Sequence, residues 1–238
     1  MTRCLFCFSS YVKKPSWSQL LLIETDSDLC LRCLRQLKKL EGDRCRICSR
    51  ELLVRNWSQD GCCFDCMRWQ RDQRTHFLLD KNISVYQYNL FMKETLASYK
   101  YRGDAVIAEF FAPKLYDLYM KHFRGYVVIP IPLSPQRLIE RGFNQSELLL
   151  TGWKNATIHP VLQRKEREKQ SKKSRRLRLA SFDDNPFSIK KELNNISQKL
   201  NKAILIDDIY TTGTTLRQAA YVLKQIGVEE VVSLTIAR

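Results

Sequence analysis

Residues Ala203 to Leu216 read AILIDDIYTTGTTL. The apolar run Ala203-Ile-Leu-Ile206 is too short for a helix and suits a buried strand. It ends in two acids, Asp207 and Asp208, and two residues later Thr211-Thr-Gly-Thr-Thr215 opens a helical run, Thr215 to Ile226, closed by Gly227. In an open parallel sheet, ligands bind at the carboxyl ends of strands, which is where such a turn lies. Each residue type has a use there. Adjacent carboxylates accept hydrogen bonds from two vicinal hydroxyls, and Gly213 lets backbone approach an anion closely. Successive amide N–H groups, the hydroxyls of Thr211, Thr212, Thr214 and Thr215, and the helix dipole then hold a phosphate. A diol acceptor beside a phosphate nest is what a ribose 5-phosphate requires.

Working outward, Val231 to Ile236 reads as a final strand, and Tyr126 to Ile131 as another that runs into Pro130 and Pro132. Ile83 to Tyr88 alternates as a strand does. Leu90 to Tyr101, Ala105 to Phe123 (despite Pro113) and Phe143 to Trp153 carry helical spacing. Strands alternating with helices predict an α/β fold around a mostly parallel sheet flanked by helices.

The head of the chain is different. All nine cysteines lie in the first 66 of the 238 residues, and eight form C-x-x-C pairs: Cys4/Cys7, Cys30/Cys33, Cys45/Cys48 and Cys63/Cys66. Two such knuckles complete a tetrahedral four-thiolate site. Sequential pairing is the simplest, with 22 residues between the first two knuckles and 14 between the last two; the spacing also admits an interleaved arrangement. Cys62 is left over and reads as a packed thiol. With four thiolates per ion and no open position, the sites read as structural zinc, one or two ions, rather than catalytic. Residues 1–75 thus form a small cysteine-rich, zinc-ribbon-like domain ahead of an α/β domain over 76–238. Beyond the C-x-x-C pairs no internal repeat is evident.

With 27% charged and 44% hydrophobic residues, the chain is not a disordered protein. No apolar run approaches the roughly 18 residues needed to span a membrane, and the N-terminus lacks the pattern of a secretory signal, so the chain reads as cytoplasmic. Forty Lys and Arg against 25 Asp and Glu give a formal charge of +15, a surface that attracts polyanions. Nine of those cations crowd into Arg164 to Arg178, opposed only by Glu166 and Glu168. That exceeds what one pyrophosphate needs and suits a polynucleotide backbone, with Arg164, Lys165, Lys172, Lys173, Arg175, Arg176 and Arg178 as candidate contacts.

The Ala203–Leu216 stretch resembles the phosphoribosyl pyrophosphate motif of type I phosphoribosyltransferases. Together with Ile129-Pro-Ile-Pro-Leu-Ser134, Arg137, Glu140-Arg-Gly-Phe-Asn-Gln145, the cysteine knuckles and Thr235-Ile-Ala-Arg238, the whole chain resembles the ComF family of late competence proteins, ComFC type. The resemblance implies that Pro132, Leu133 and Ser134 form a pyrophosphate loop, with Arg137 and Arg141 facing anionic groups. It makes Asn144 and Gln145 polar contacts or caps, Lys100 or Arg102 phosphate ligands, and the Arg164–Arg178 passage a loop that closes over the site. It further implies a role in the uptake of single-stranded DNA during natural transformation, beside a ComFA-type helicase and a membrane channel, peripheral to the inner face of the membrane. The alternative is an active phosphoribosyltransferase using Mg2+ and phosphoribosyl pyrophosphate. The sequence supplies a donor site for that but no identifiable acceptor site and no catalytic residue.

Overall fold

The computed structural model describes residues 2–12, 28–52, 60–101, 105–166, 184–190 and 200–238. A two-stranded ribbon, β1 (Thr2–Arg3) and β2 (Ser10–Tyr11), precedes two short helices, α1 (Leu31–Gln36) and α2 (Phe64–Arg71). Then follow β3 (Lys81–Tyr86), α3 (Leu90–Tyr101), α4 (Ile107–His122), β4 (Val127–Pro130), α5 (Pro135–Arg141) and α6 (Gln145–Leu148). The chain closes with β5 (Leu162–Arg164), β6 (Phe187–Ile189), β7 (Lys202–Ile209), α7 (Thr214–Gln225) and β8 (Glu230–Ala237).

The central sheet has four strands in the order β3-β8-β7-β4, all parallel. Its two middle strands are buried on both faces, which is why Ala203 to Ile206 reads as continuous apolar residues instead of an alternation. Side chains still alternate between faces. Val128, Ile204, Ile206, Val232, Leu234 and Ile236 pack against α3 and α4. Ile129, Ala203, Leu205 and Val231 pack against Leu216, Ala219, Ala220 and Leu223 of α7.

Most expected elements form within a few residues of their predicted limits. The helix expected over Phe143 to Trp153 is shorter: Asn144 caps it, accepting from the Ser146 N–H at 3.1 Å, and only Gln145–Leu148 is helical before turns leading to Gly152 at φ +83°. Trp153 packs against Tyr116 and Tyr119 of α4, so the tryptophan that suggested a continuing helix serves a turn instead. The β5–β6 ribbon was not legible, because its three-residue strands are separated by the whole basic passage.

The eight paired cysteines gather into two groups, Cys4/Cys7/Cys30/Cys33 and Cys45/Cys48/Cys63/Cys66. This is the sequential arrangement. The groups sit on opposite faces of the sheet: the first in the core of the α3 and α4 face, the second in the core of the α7 face. We call them the outer and inner centres, since all four inner thiols are buried while Cys7 and Cys30 of the outer group are half-buried.

Candidate functional site: a strand-end cradle and two four-cysteine centres

The cradle forms where β7 leaves the sheet. Asp207 and Asp208 occupy its carboxyl end, and Asp207 turns back to accept the Asp208 N–H at 2.9 Å. Asp208 is buried and ion-paired with Lys100, from the last turn of α3. Burial works against the lysine's charge, but the Asp208 carboxylate outweighs it and the Lys100 pKa is raised. Burial, then the neighbouring charge of Asp208, pushes the Asp207 carboxyl up from 3.8 to about 7. Ser146 Oγ lies 3.5 Å from Asp207 Oδ1, bringing the start of α6 to the same strand end.

Gly213 follows in the left-handed region at φ +78° and directly precedes α7. A side chain there would strike the Tyr210 hydroxyl and the Arg217 guanidinium, so the position requires glycine for space as well as conformation. The turn is held from behind through its carbonyls. Trp69 Nε1–H donates to Thr212 C=O at 2.9 Å, and Arg238 Nη1 donates to Thr211 C=O at 2.5 Å and Tyr210 C=O at 3.3 Å. Arg217 Nη1 donates to the Tyr210 hydroxyl at 2.7 Å and reaches Gly213 C=O at 3.5 Å. The hydroxyls of Thr212 and Thr214 pair at 2.9 Å. First-turn amides of a helix lack intrahelical acceptors, so a turn whose carbonyls are tied back has N–H groups to offer an anion.

The loop after β4 lies at the same end of the sheet. Ser134 is buried and its hydroxyl donates to Glu166 at 3.1 Å, while the Gln136 N–H approaches the same carboxylate at 3.4 Å. Pro132 and Leu133 are half-buried beside it, and Arg137 is exposed on α5. Arg141 donates to Gln145 Oε1 at 2.8 Å and stands near enough to Lys100 to act on its charge. Asn144 also donates to Ile131 C=O at 3.2 Å, and the Tyr99 hydroxyl donates to Gln145 C=O at 2.8 Å. Asn144 and Gln145 thus hold the loop's shape.

Of the basic passage, Arg164 stacks over Phe187 at 5.2 Å, and Lys165 is exposed, its N–H bonded to Pro186 C=O. Lys172, Lys173, Arg175, Arg176 and Arg178, like Arg102, lie outside the described residues. The passage departs at Glu166, against Ser134, and its far side returns at Asp184, whose carbonyl accepts from Gln218 of α7 at 3.1 Å. Its ends are therefore fixed beside the loop after β4 and the helix that follows the cradle.

The two four-cysteine centres repeat one backbone design. Phe8 N–H bonds to Cys4 C=O at 2.9 Å and Ser49 N–H to Cys45 C=O at 3.0 Å, and these two are the non-glycine positions of positive φ among the described residues, at 58° and 60°. Cys30 N–H reaches Cys4 Sγ, and Cys63 N–H reaches Cys45 Sγ, each at 3.3 Å. Cys30 and Cys63 each cap a helix. The repeat escaped the sequence because the residues between the cysteines differ while the backbone bonds do not. In a tetrahedral zinc site with Zn–S bonds of about 2.3 Å, sulfurs stand roughly 3.8 Å apart. Cys7 and Cys30 Sγ are 3.7 Å apart and Cys48 and Cys63 Sγ 3.6 Å, too far for disulfides and compatible with zinc. Cys62 lies outside both groups, buried, its thiol accepting from Arg46 at 3.1 Å.

The residues that grip the turn are Trp69, Tyr210, Arg217 and Arg238; Tyr210 lies within the Ala203–Leu216 stretch and Arg238 ends the C-terminal motif, but the sequence assigns none of the four this role. Nothing in their spacing marks them. Only the fold carries Trp69 to a segment 143 positions away.

No protein-family model matches the chain. It is 40% identical over 226 residues, 94% of this chain and 89% of the relative, to "Competence protein ComFC" of Bacillus subtilis. It is 30% identical over 237 residues, 99% of this chain and all of the relative, to "Competence protein ComFC" of Streptococcus pneumoniae. It is 27% identical over 224 residues to "Competence protein F" of Haemophilus influenzae. Similarity of that extent, across both the cysteine head and the strand-end cradle, shows that the chain belongs to the ComFC family of competence proteins.

Proposed function

We propose that this chain is a competence protein that binds phosphoribosyl pyrophosphate, or a related ribose phosphate, in the Asp207–Thr215 cradle. In this role it handles incoming single-stranded DNA during natural transformation. The observation that carries the reading is the cradle: two carboxylates at a strand end, followed by a turn whose glycine admits no side chain and whose carbonyls are tied back. In it, Asp207 and Asp208 take the ribose hydroxyls, the 211–215 turn takes the phosphate, and Lys100 is released from Asp208 toward a phosphate. The loop Leu133–Ser134 with Arg137 and Arg141 takes the pyrophosphate end. The basic passage, fixed at both ends beside this site, supplies charge for a nucleic acid backbone. The names of the relatives support the competence role.

The two four-cysteine centres hold structural zinc in this proposal; a metal bound by four thiolates cross-links segments too short to build a core of their own. The chain then acts beside a ComFA-type helicase at the inner face of the membrane. No helix among the described residues is long and apolar enough to cross that membrane.

The test is single-stranded DNA binding followed by anisotropy across a salt series. Binding should weaken steeply with salt. It should survive Asp207→Ala with Asp208→Ala, and fail when Lys172, Lys173, Arg175, Arg176 and Arg178 are changed to Gln. Absence of binding at low salt would remove the DNA-handling role. Pyrophosphate release from phosphoribosyl pyrophosphate with an added nucleobase, abolished by Asp207→Ala, would replace it with phosphoribosyl transfer.

A further inference from the structure

The inner centre and the cradle share their side chains. Arg238, one residue past β8, points Nε and Nη2 at Cys48 Sγ, each at 3.4 Å, while its Nη1 holds the carbonyls of Thr211 and Tyr210. Its guanidinium also lies over the Tyr210 ring at 4.7 Å. One planar group thus spans a metal-ligating sulfur and the turn. Its backbone is pinned on both sides, the N–H to Tyr86 C=O at 3.0 Å and the C=O to Tyr88 N–H at 2.9 Å, so it cannot follow either partner alone. The second link is Trp69, one turn after Cys66 on α2. Its indole N–H bonds the Thr212 carbonyl and its ring lies under the Arg217 guanidinium at 4.8 Å.

Arg217 supplies an independent observation. It is 1% exposed, and its Nε and Nη2 have no hydrogen-bond acceptor among the described residues. A buried guanidinium with two idle donors is costly unless a negative charge stands nearby. The same core holds the four inner thiols, whose metal-bound form carries a net charge of −2 as four thiolates around a divalent ion. The side chains of Arg217 and Arg238 are placed to balance that charge, Arg238 also standing 3.9 Å from the Asp65 carboxylate. Among the described residues no buried arginine lies at the outer centre; there Phe6 packs on Phe91, Phe110 and Phe111, and the Cys7 thiol is hydrogen-bonded to Ser9.

We infer that the metal-loaded inner centre is the charge partner of Arg217 and Arg238 and thereby sets the conformation of the 210–214 turn, so that metal occupancy of this centre, and not of the outer one, controls ligand binding in the cradle. The consequence for binding rests on the phosphoribosyl reading above; the coupling of metal to turn does not. Coupling of this kind is reciprocal: whatever loosens the turn must also loosen the metal.

The experiment uses the full-length, zinc-loaded protein and reads amide hydrogen exchange of residues 211–215, with residues 203–206 of β7 as the internal reference. As a strong chelator withdraws zinc stepwise, exchange in the turn should rise at least tenfold in step with inner-centre zinc while β7 stays protected. Arg238→Gln should do the same with both zinc ions initially present. It should also speed zinc release from the inner centre, and weaken phosphoribosyl pyrophosphate about tenfold, the worth of a charge-assisted hydrogen bond. If chelation unfolds the chain, Arg238→Gln decides. An unchanged turn, or an unchanged rate of zinc release, in that variant overturns the inference. A turn that loosens in a protein whose wild type binds no phosphoribosyl pyrophosphate upholds the coupling and removes the phosphoribosyl reading alone.

Discussion

At the outer centre, Cys7 and Cys30 keep part of their surface in solvent, and the knuckle is anchored by rings, Phe6 lying 5.2 Å from Phe110 edge to face and 5.7 Å from Phe111. At the inner centre, no thiol is more than 2% exposed, and the knuckle is anchored by polar bonds. Ser49 Oγ donates to Asn82 C=O at 2.7 Å, Asn82 donates to Ser84 at 2.8 Å, Ser84 pairs with Thr235 at 2.7 Å, and Ser233 donates to Asn82 Oδ1 at 2.9 Å. The same backbone motif is thus used twice, once as an apolar clip and once against a buried polar network that joins β3 to β8. Dispersion tolerates small displacements; a fully satisfied network in low dielectric does not. In the coupling inferred above, the first arrangement fastens the N-terminal knuckle to the fold, and the second transmits position.

The largest test of this contrast is ligand loss. We expect Cys63→Ser to cost more than about 4 kcal/mol, since it removes a buried metal site. Cys30→Ser should cost about 2 kcal/mol, because a half-exposed site leaves less buried charge uncompensated. Denaturant unfolding with zinc counted per chain measures both, and equal losses would break the comparison. Next comes Gly213→Ala, expected to cost about 3 kcal/mol for a strained φ and a crowded Cβ. If turn and inner centre are one unit, this variant also releases inner zinc faster and leaves outer zinc alone. Phe6→Ala should cost about 2 kcal/mol, a partly buried ring lost from the outer anchor. Its ligand binding should be unchanged in a calorimetric titration; a parallel loss would show that the outer centre also governs the cradle.

A further test is in pH. The folded pKa of Asp207 is raised, from 3.8 to about 7, so the folded state holds the proton more tightly. Its contribution to stability is fully present below about pH 4 and is lost as the pH rises through 7. Asp207→Asn should therefore flatten the decline of wild-type stability between pH 4 and pH 7, seen in unfolding curves taken across that range. Matching slopes in the two proteins would place Asp207 in a more solvated setting than the strand end provides.

How much of this was legible in the sequence follows the same contrast. The strand-turn-helix unit was legible because it is local: Asp207, Asp208 and Gly213 lie within seven residues, and the strand and helix that position them flank them directly. The cysteine pairs were legible for the same reason, since a knuckle is a four-residue object. What joins them was not. Arg238 meets Cys48 across 190 positions, and Ser84 meets Thr235 across 151, contacts that exist only because β3 and β8 pair in parallel. Arg217 reads as an ordinary helix cation in sequence. Only its burial beneath Tyr210 and against Trp69 reveals a different use.

The most direct measurement is a calorimetric titration of phosphoribosyl pyrophosphate into the zinc-loaded full chain, beside Asp207→Asn at equal zinc content. We expect saturable binding at one site per chain, weakened at least tenfold in the variant when titrated above pH 7, where Asp207 is ionised and the variant lacks that charged acceptor for a ribose hydroxyl. Equal affinity in the two proteins, or no saturable binding to the wild type, would contradict it.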